Sequence, residues 1–244
     1  MEIYNKDCFE FMKENLKPNS VDLFLLDLPY GQTRCQWDTK IDLNRMWEEI
    51  KRTVKRKGLI IFFCTTKFGN ELLNSKIDWF KYDLIWHKSR SVGFLNSKIM
   101  PLRGHEMIYV FGEKSQKKEK GSYTYNPQMT EGKAYEKKIN SKRETGIYGN
   151  IKDFHNSNEG TRYPVSVQKF KNGSNKSFHK TQKPLNCLEW LIKSYSNEGD
   201  LVCDFTMGSG SCGEACRNTK RRFIGCEKNK EIFEVAKKRL ENED

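Results

Sequence analysis

The chain has no Cys-x-x-Cys pair. Its eight cysteines (Cys8, Cys35, Cys64, Cys187, Cys203, Cys212, Cys216 and Cys226) form no cluster with histidine at zinc-ligand spacing, so no metal site is expected. Cys212 and Cys216 stand four apart on an expected helix, but no second pair or histidine joins them. Most of the others sit inside apolar runs, as buried free thiols do, which points to a reducing, cytoplasmic setting. Nothing after Met1 reads as a signal peptide, and no apolar run is long enough to span a bilayer. Acidic residues are in short supply too: 32 Asp and Glu against 44 Lys and Arg leave a net charge of +12. A chain that basic is expected to meet a polyanion, nucleic acid first, with a merely solvated lysine-rich surface as the bland alternative. At 244 residues it bounds one domain, or one domain with a sizeable insertion.

What is present is organised around Val21–Leu26, an apolar run of strand length that stops abruptly at Asp27-Leu28-Pro29-Tyr30. Such a run reads as a buried parallel strand whose carboxyl end opens into a loop. Ligands bind beyond the carboxyl ends of strands in open α/β sheets, which puts Asp27 and Tyr30 where chemistry is expected. A surface turn explains the tetrapeptide alone about as well. Upstream, Asp7 has N-cap chemistry for a helix carrying Phe9, Met12 and Leu16, with Glu10 completing a capping box. Downstream, Asn44–Arg56 reads as an amphipathic helix ended by Gly58, and Leu59–Cys64 as a second buried strand. Phe68–Ile77 reads as helix, and Tyr82–Trp86 and Met107–Phe111 as strands. This alternation predicts an α/β fold with a doubly wound, parallel, Rossmann-like sheet.

Composition then changes. From Glu113 to Lys183 there are 16 Lys and Arg against 7 Asp and Glu, so most of the excess charge lies here. Periodic apolar runs vanish, yet aromatics persist at Tyr123, Tyr125, Tyr135, Tyr148, Phe154, Tyr163 and Phe170. A structureless loop this long is improbable unless functional, and disordered segments are poor in aromatics. The reading is a nucleic-acid recognition segment over 113–178, inserted between 1–112 and 179–244, with a disordered basic insertion as the alternative.

Regularity returns at Pro184, which opens a helix through Tyr195. Leu201–Phe205 is a strand, followed by a turn with glycines at 208, 210 and 213 and by another helix. Arg222–Glu227 is the next strand, ending at an acid. Strand, glycine turn, helix, strand and acid in that order imply a ligand carrying a ribose, with Glu227 placed to bind its hydroxyls. A dinucleotide competes at this level.

The tetrapeptide Asp27-Leu28-Pro29-Tyr30 resembles the (Asp/Asn/Ser)-Pro-Pro-(Tyr/Phe/Trp) signature of the amino-group DNA methyltransferases, which act on adenine N6 or cytosine N4. The turn Asp204-Phe205-Thr206-Met207-Gly208-Ser209-Gly210 resembles the Asp-Pro-Phe-x-Gly-x-Gly cofactor turn of S-adenosylmethionine-dependent methyltransferases. Read with one extra residue, Met207 stands at the Phe position and Phe205 at the proline. His179-Lys180-Thr181-Gln182-Lys183-Pro184 is similar to the His-Pro-Thr-Gln-Lys-Pro segment of the same family. Asn5-Lys6-Asp7-Cys8 resembles its Gly-Asp-Cys-like start. Catalytic motif first, basic segment next and cofactor motif last is the circularly permuted order of the β-class enzymes.

This resemblance covers roughly 1–112 and 179–244 and implies S-adenosylmethionine as cofactor and double-stranded DNA as partner. It implies catalytic roles for Asp27, Leu28, Pro29 and Tyr30. Cofactor contacts are implied for Asp7, Cys8, Asp27, His179, Lys180, Thr181, Gln182, Lys183, Asp204, Phe205, Met207, Gly208, Ser209, Gly210 and Glu227. Lys137, Lys138, Lys142 and Arg143 are expected on DNA phosphates. A cognate restriction endonuclease and a homodimer are further expectations. Within the family, Asp at position 27 favours adenine N6, since cytosine-N4 enzymes more often show Ser. None of the six prolines is followed by cysteine, which rejects the cytosine-C5 class. The competing classes are a non-catalytic DNA-binding protein that keeps the fold, and an RNA or protein-amide methyltransferase.

Overall fold

A computed structural model describes residues 1–31, 39–113, 122–139, 144–145, 149–150, 154–172 and 182–241. The strands of the N-terminal half are β1 (Glu2–Tyr4), β2 (Val21–Leu26), β3 (Val54–Cys64), β4 (Phe80–Val92) and β5 (Arg103–Gly112). Six short strands follow: β6 (Thr130–Glu131), β7 (Tyr135–Ile139), β8 (Glu144–Thr145), β9 (Gly149–Asn150), β10 (Phe154–Asn158) and β11 (Thr161–Arg162). The last three are β12 (Val167–Phe170), β13 (Leu201–Asp204) and β14 (Arg222–Cys226). Helices α1 (Cys8–Asn15), α2 (Leu43–Thr53) and α3 (Thr66–Lys76) lie in the first half, and α4 (Leu185–Tyr195), α5 (Ser211–Asn218) and α6 (Lys230–Glu241) in the last.

Eight strands form one sheet in the order β1-β14-β13-β2-β3-β5-β4-β12. β2 lies at its centre because its side chains are apolar on both faces. Phe24 and Leu26 point to the side covered by α1, α2 and α3, and Leu23 and Leu25 to the side covered by α4, α5 and α6. Both sets are at most 1% exposed, and burying each such side chain contributes about 1.5–3 kcal/mol. On the first face Trp47 of α2 packs edge-on against Phe62 and tilted against Phe111, with ring centroids 5.6 and 5.3 Å apart.

The expected doubly wound sheet is present, but it is mixed rather than all parallel. β1, β14, β13, β2 and β3 run parallel, whereas β5 is antiparallel to both β3 and β4. β4 and β5 are joined as a hairpin, and a short connection forces antiparallel pairing. Helix α2 stops at Thr53, before Gly58, and β3 begins at Val54. The charged residues after it are drawn into the strand by Lys55, whose Nζ lies 2.8 Å from the Asp22 carboxylate on β2.

The chain divides into two compact units, residues 1–126 with 166–244, and residues 127–165. The second is narrower than the segment 113–178 marked by composition. Asn126 is tied to α4, its N–H donating to the Ser194 carbonyl at 2.7 Å, and β12 pairs in parallel with β4. Among its described residues the smaller unit holds three antiparallel pairs, β7 with β10, β6 with β11 and β8 with β9. Its net charge is only +2, while residues 166–183 carry +5 with no acid at all. Among the described residues, no helix is long and apolar enough to cross a membrane.

Candidate active site

The parallel strands deliver their carboxyl ends to one edge of the sheet, and the antiparallel β5 delivers its amino end there. Asp27 follows β2 directly, Glu106 enters on β5, Lys88 leaves on β4, and Lys183 arrives just ahead of α4. They form a chain of alternating charge. Lys183 Nζ lies 2.6 Å from Asp27 Oδ2 and 3.0 Å from Glu106 Oε1, and Lys88 Nζ lies 2.8 Å from Glu106 Oε2. Two carboxylates and two ammoniums make the cluster neutral, which is what allows it to be buried. Burial opposes the Lys183 ammonium, but Asp27 and Glu106 outweigh it and hold its pKa above the ordinary lysine value. Burial likewise works against the Glu106 carboxylate, yet Lys183 and Lys88 pull its pKa below the usual range.

Tyr30 closes the same cluster. Its hydroxyl donates to Asp27 Oδ1 at 2.8 Å and lies 3.4 Å from Glu106 Oε1. Burial, with the two carboxylates beside it, raises the phenol pKa well above normal, so the group stays a donor. One face of the ring rests on Phe68, with centroids 5.0 Å apart. Leu28 is buried among the core residues and Pro29 is half-buried, which fixes the path of the loop.

The second part of the site lies after β13. Gly208 and Gly210 adopt φ of +52° and +80°, a region that side chains with a Cβ avoid. A Cβ on Gly208 would meet nothing within 4 Å, so the turn is open there, whereas at Gly210 it would come within 3.2 Å of Ala236 and at Gly213 within 2.9 Å of Leu240, both on α6. The first glycine thus leaves room for a ligand and the last lets two helices pack. Glu227, just past β14, accepts from the Gly208 N–H at 3.2 Å and from the Asn229 N–H at 2.8 Å.

β1 pairs with β14, and this brings the N-terminal motif alongside. Asn5 Nδ2 donates to the Glu227 carbonyl at 2.8 Å, and Asp7 Oδ2 lies 3.2 Å from Lys228 Nζ. Asp7 is the N-cap of α1, accepting from the Phe9 N–H at 3.0 Å. Partial burial pushes the neighbouring Cys8 thiol up to about 11, leaving it protonated. Gln182 contributes a buried side-chain oxygen with no hydrogen-bond partner among the described residues. A gap over a positive-φ turn and acids at two adjacent strand ends suit a polar ligand bearing hydroxyl or amino donors.

Between the two parts stands Thr206. Its N–H donates to Asp204 Oδ1 at 3.0 Å, and its hydroxyl lies 3.4 Å from both that oxygen and the backbone carbonyl of Asp27. The residue count corrects one assignment. Three residues separate Asp204 from Gly208, as in Asp-Pro-Phe-x-Gly, so Thr206 and not Met207 stands at the Phe position. Phe205 and Met207 are both core residues on opposite faces of the sheet, Phe205 packing edge-on against Phe24 with centroids 6.1 Å apart. Ser209 is buried beside Arg239.

The structure therefore gathers Asp27, Tyr30 and Lys183 into one cluster and Asp7, Cys8, Gly208, Gly210 and Glu227 into another, with Asp204 joining them through Thr206. His179, Lys180, Thr181, Lys142 and Arg143 lie outside the described residues, as do the side chains of Lys137 and Lys138. Sequence reasoning missed Glu106, Lys88 and Thr206. The available signal for Glu106 was an acid directly ahead of the apolar run Met107–Phe111, at the mouth of a buried strand.

Comparison with known proteins gives a consistent picture. The family described as DNA methylase (N6_N4_Mtase) matches residues 21–238. The type II methyltransferase M.HpaI of Haemophilus parainfluenzae is 28% identical over 247 residues, spanning 94% of this chain and 71% of that protein. M1.MboII of Moraxella bovis is 28% identical over 253 residues, spanning 96% and 94%. Among solved structures, the M1.HpyAVI–SAM complex superposes with a TM-score of 0.64 at 26% identity, over 98% of this chain and 99% of that one. The cytosine-N4-specific PvuII DNA methyltransferase, at 14% identity and a TM-score of 0.68 over 99% of this chain and 86% of that one, shares the fold.

Proposed function

This chain belongs to the N6/N4 DNA methylase family, and from that premise we propose that it transfers a methyl group from S-adenosylmethionine to adenine N6 at a specific DNA site. The observation that carries the reading is the Asp27 carboxylate at the carboxyl end of β2, clamped by Lys183 and Tyr30, with the backbone carbonyl of the same residue 3.4 Å from the Thr206 hydroxyl ahead of the glycine turn. An exocyclic base amine is a weak nucleophile because its lone pair is conjugated with the ring. Asp27 and the backbone carbonyl of Leu28 accept hydrogen bonds from that amine and let its nitrogen pyramidalise. Tyr30 offers the ring face turned away from Phe68 for stacking on a base flipped out of the duplex. Adenine is preferred over cytosine because position 27 is Asp. Cytosine-N4 transfer would use the same acceptors.

S-adenosylmethionine supplies an electrophilic methyl on a sulfonium. The groups that would hold it are the backbone of Gly208 and Gly210, the carboxylates of Asp7 and Glu227, and the orphan oxygen of Gln182. Glu227→Ala is expected to weaken S-adenosylmethionine binding by ~1.5–3 kcal/mol, the range for a hydrogen bond to a charged group. Calorimetric titration reads this directly, and an unchanged dissociation constant would demote Glu227 to a strand-end residue.

Neutrality of the Lys88–Glu106–Lys183–Asp27 chain matters as well. Positive charge arrives on the target nitrogen as the methyl transfers, and an uncompensated Lys183 would oppose it. Glu106→Gln is therefore expected to lower affinity for S-adenosylmethionine several-fold relative to S-adenosylhomocysteine, whose sulfur is a neutral thioether. Equal losses for both ligands would reduce Glu106 to a structural role.

The unit 127–165, with its basic flanks, is the proposed DNA-recognition segment, lysines and arginines holding phosphates and setting register. Incubating the purified protein with S-adenosylmethionine and DNA, then sequencing by a method that reads methylated bases, tests the whole reading. N6-methyladenine confined to one short motif is the expected result. N4-methylcytosine would shift the reading to the sister chemistry, and unmodified DNA would sink it.

A further inference from the structure

We infer that the tip of the β4–β5 hairpin is a wedge that enters the DNA duplex beside the target base. This rests on the function proposed above and adds an interaction surface to it.

The ladder between β4 and β5 ends at Val92 opposite Arg103. Beyond it, Gly93 at φ +93° turns the chain and Phe94–Asn96 form a 3-10 turn. The N–H of Asn96 donates to the Gly93 carbonyl and that of Ser97 to the Phe94 carbonyl, and the N–H groups of Ile99 and Met100 both reach Asn96, at 3.0–3.1 Å. The tip is thus a built, hydrogen-bonded structure. It nevertheless holds its apolar side chains in water: Phe94 is 76% exposed, Leu95 84% and Ile99 78%, with Met100 and Leu102 about half exposed. Contiguous apolar surface of this kind marks an interaction site.

Charge and position identify the occupant. Between Asp83 and Glu106 there is no acidic residue, and with Lys88 buried on Glu106 the cations left to the hairpin end are Arg90, Lys98 and Arg103. A second copy of this chain docking by twofold symmetry would set that positive patch against itself, which is unfavourable. A polyanion with an apolar interior has the complementary chemistry: phosphates outside for the cations, stacked bases inside for Phe94 and Leu95. Glu106, in contact with Lys183 and near Tyr30, lies three residues inward from Arg103 on β5, so the tip begins about 10 Å along the strand from the catalytic cluster. A wedge there fills the space left by a flipped base and offsets the cost of unstacking it.

The test uses the full-length double variant Phe94→Ser/Leu95→Ser, whose altered side chains are exposed and outside the core. Methylation would be measured on a duplex holding the mapped site, and on the same duplex with an abasic residue opposite the target base, where unpairing is already done. On the intact duplex kcat/KM is expected to fall roughly tenfold or more, and on the abasic duplex most of that loss should disappear. Equal losses on both substrates, or none on either, would overturn the wedge while leaving the methyltransferase reading in place. So would a loss that follows a change from dimer to monomer in sedimentation. Wild-type protein that methylates neither duplex would bring down the functional reading, and this inference with it.

Discussion

Asp27→Ala is expected to reduce methyl transfer on the order of 10³-fold or more, because it removes the acceptor that meets positive charge as it develops on the target nitrogen. The carboxylate is held from two sides, by Lys183 Nζ at 2.6 Å and the Tyr30 hydroxyl at 2.8 Å, so its position is fixed before substrate arrives. Such preorganisation is what makes one acceptor worth several kcal/mol in a transition state. Cofactor affinity should change far less. Losing Asp27 leaves Lys183 facing Glu106, which it shares with Lys88, and the expected cost to S-adenosylmethionine binding is several-fold, like that of Glu106→Gln. Tritium transfer to DNA read beside calorimetric titration separates the two quantities. Turnover close to wild type would remove Asp27 from the chemistry, and a parallel collapse of binding and turnover would mean that it holds the cofactor site together.

How much of this was legible in the sequence depends on the distance over which each feature is determined. The apolar run Val21–Leu26 and the glycine turn at 208–210 are local signals, and both stand where the residue pattern puts them. The mixed sheet was not legible, because strand direction is set by where the chain returns. Phe80–Val92 and Arg103–Gly112 look alike as β-rich runs whether they pair in parallel or not. The charge chain was half legible. Lys183 could be marked from the six-residue segment before α4, but its partners lie 156 and 77 positions away, at Asp27 and Glu106, and only the fold brings them within reach. Composition marks 113–178 by charge, whereas the compact unit 127–165 is defined by pairings between short strands that composition does not reveal.

The remaining large effect concerns Asp204, whose carboxyl is buried between the two halves of the site. Burial raises its pKa from 3.8 to about 7, and nearby Asp27 and Glu227 act in the same direction, against the hydrogen bonds from Thr206. A carboxyl with a higher pKa folded than unfolded binds more protons in the native state. Stability is therefore greatest below the unfolded value, falls as pH rises from about 4 to about 7, and stays low above that. A shift of about three units corresponds to ~4 kcal/mol across the window. Asp204→Asn removes the titration and keeps an oxygen to accept from the Thr206 N–H, so the variant should gain on wild type steadily between pH 4 and 7. The measurement is the difference in urea unfolding free energy between the two proteins at a series of pH values, in which titrations common to both cancel. A pH-independent difference would mean that burial does not raise the Asp204 pKa. Turnover should move the other way. Thr206 spans from Asp204 to the Asp27 carbonyl, so the amide group of Asn changes what that hydroxyl meets and loosens the tie between glycine turn and catalytic loop. A variant more stable above pH 7 but slower in methyl transfer would identify Asp204 as an acid retained for the site at the expense of the fold.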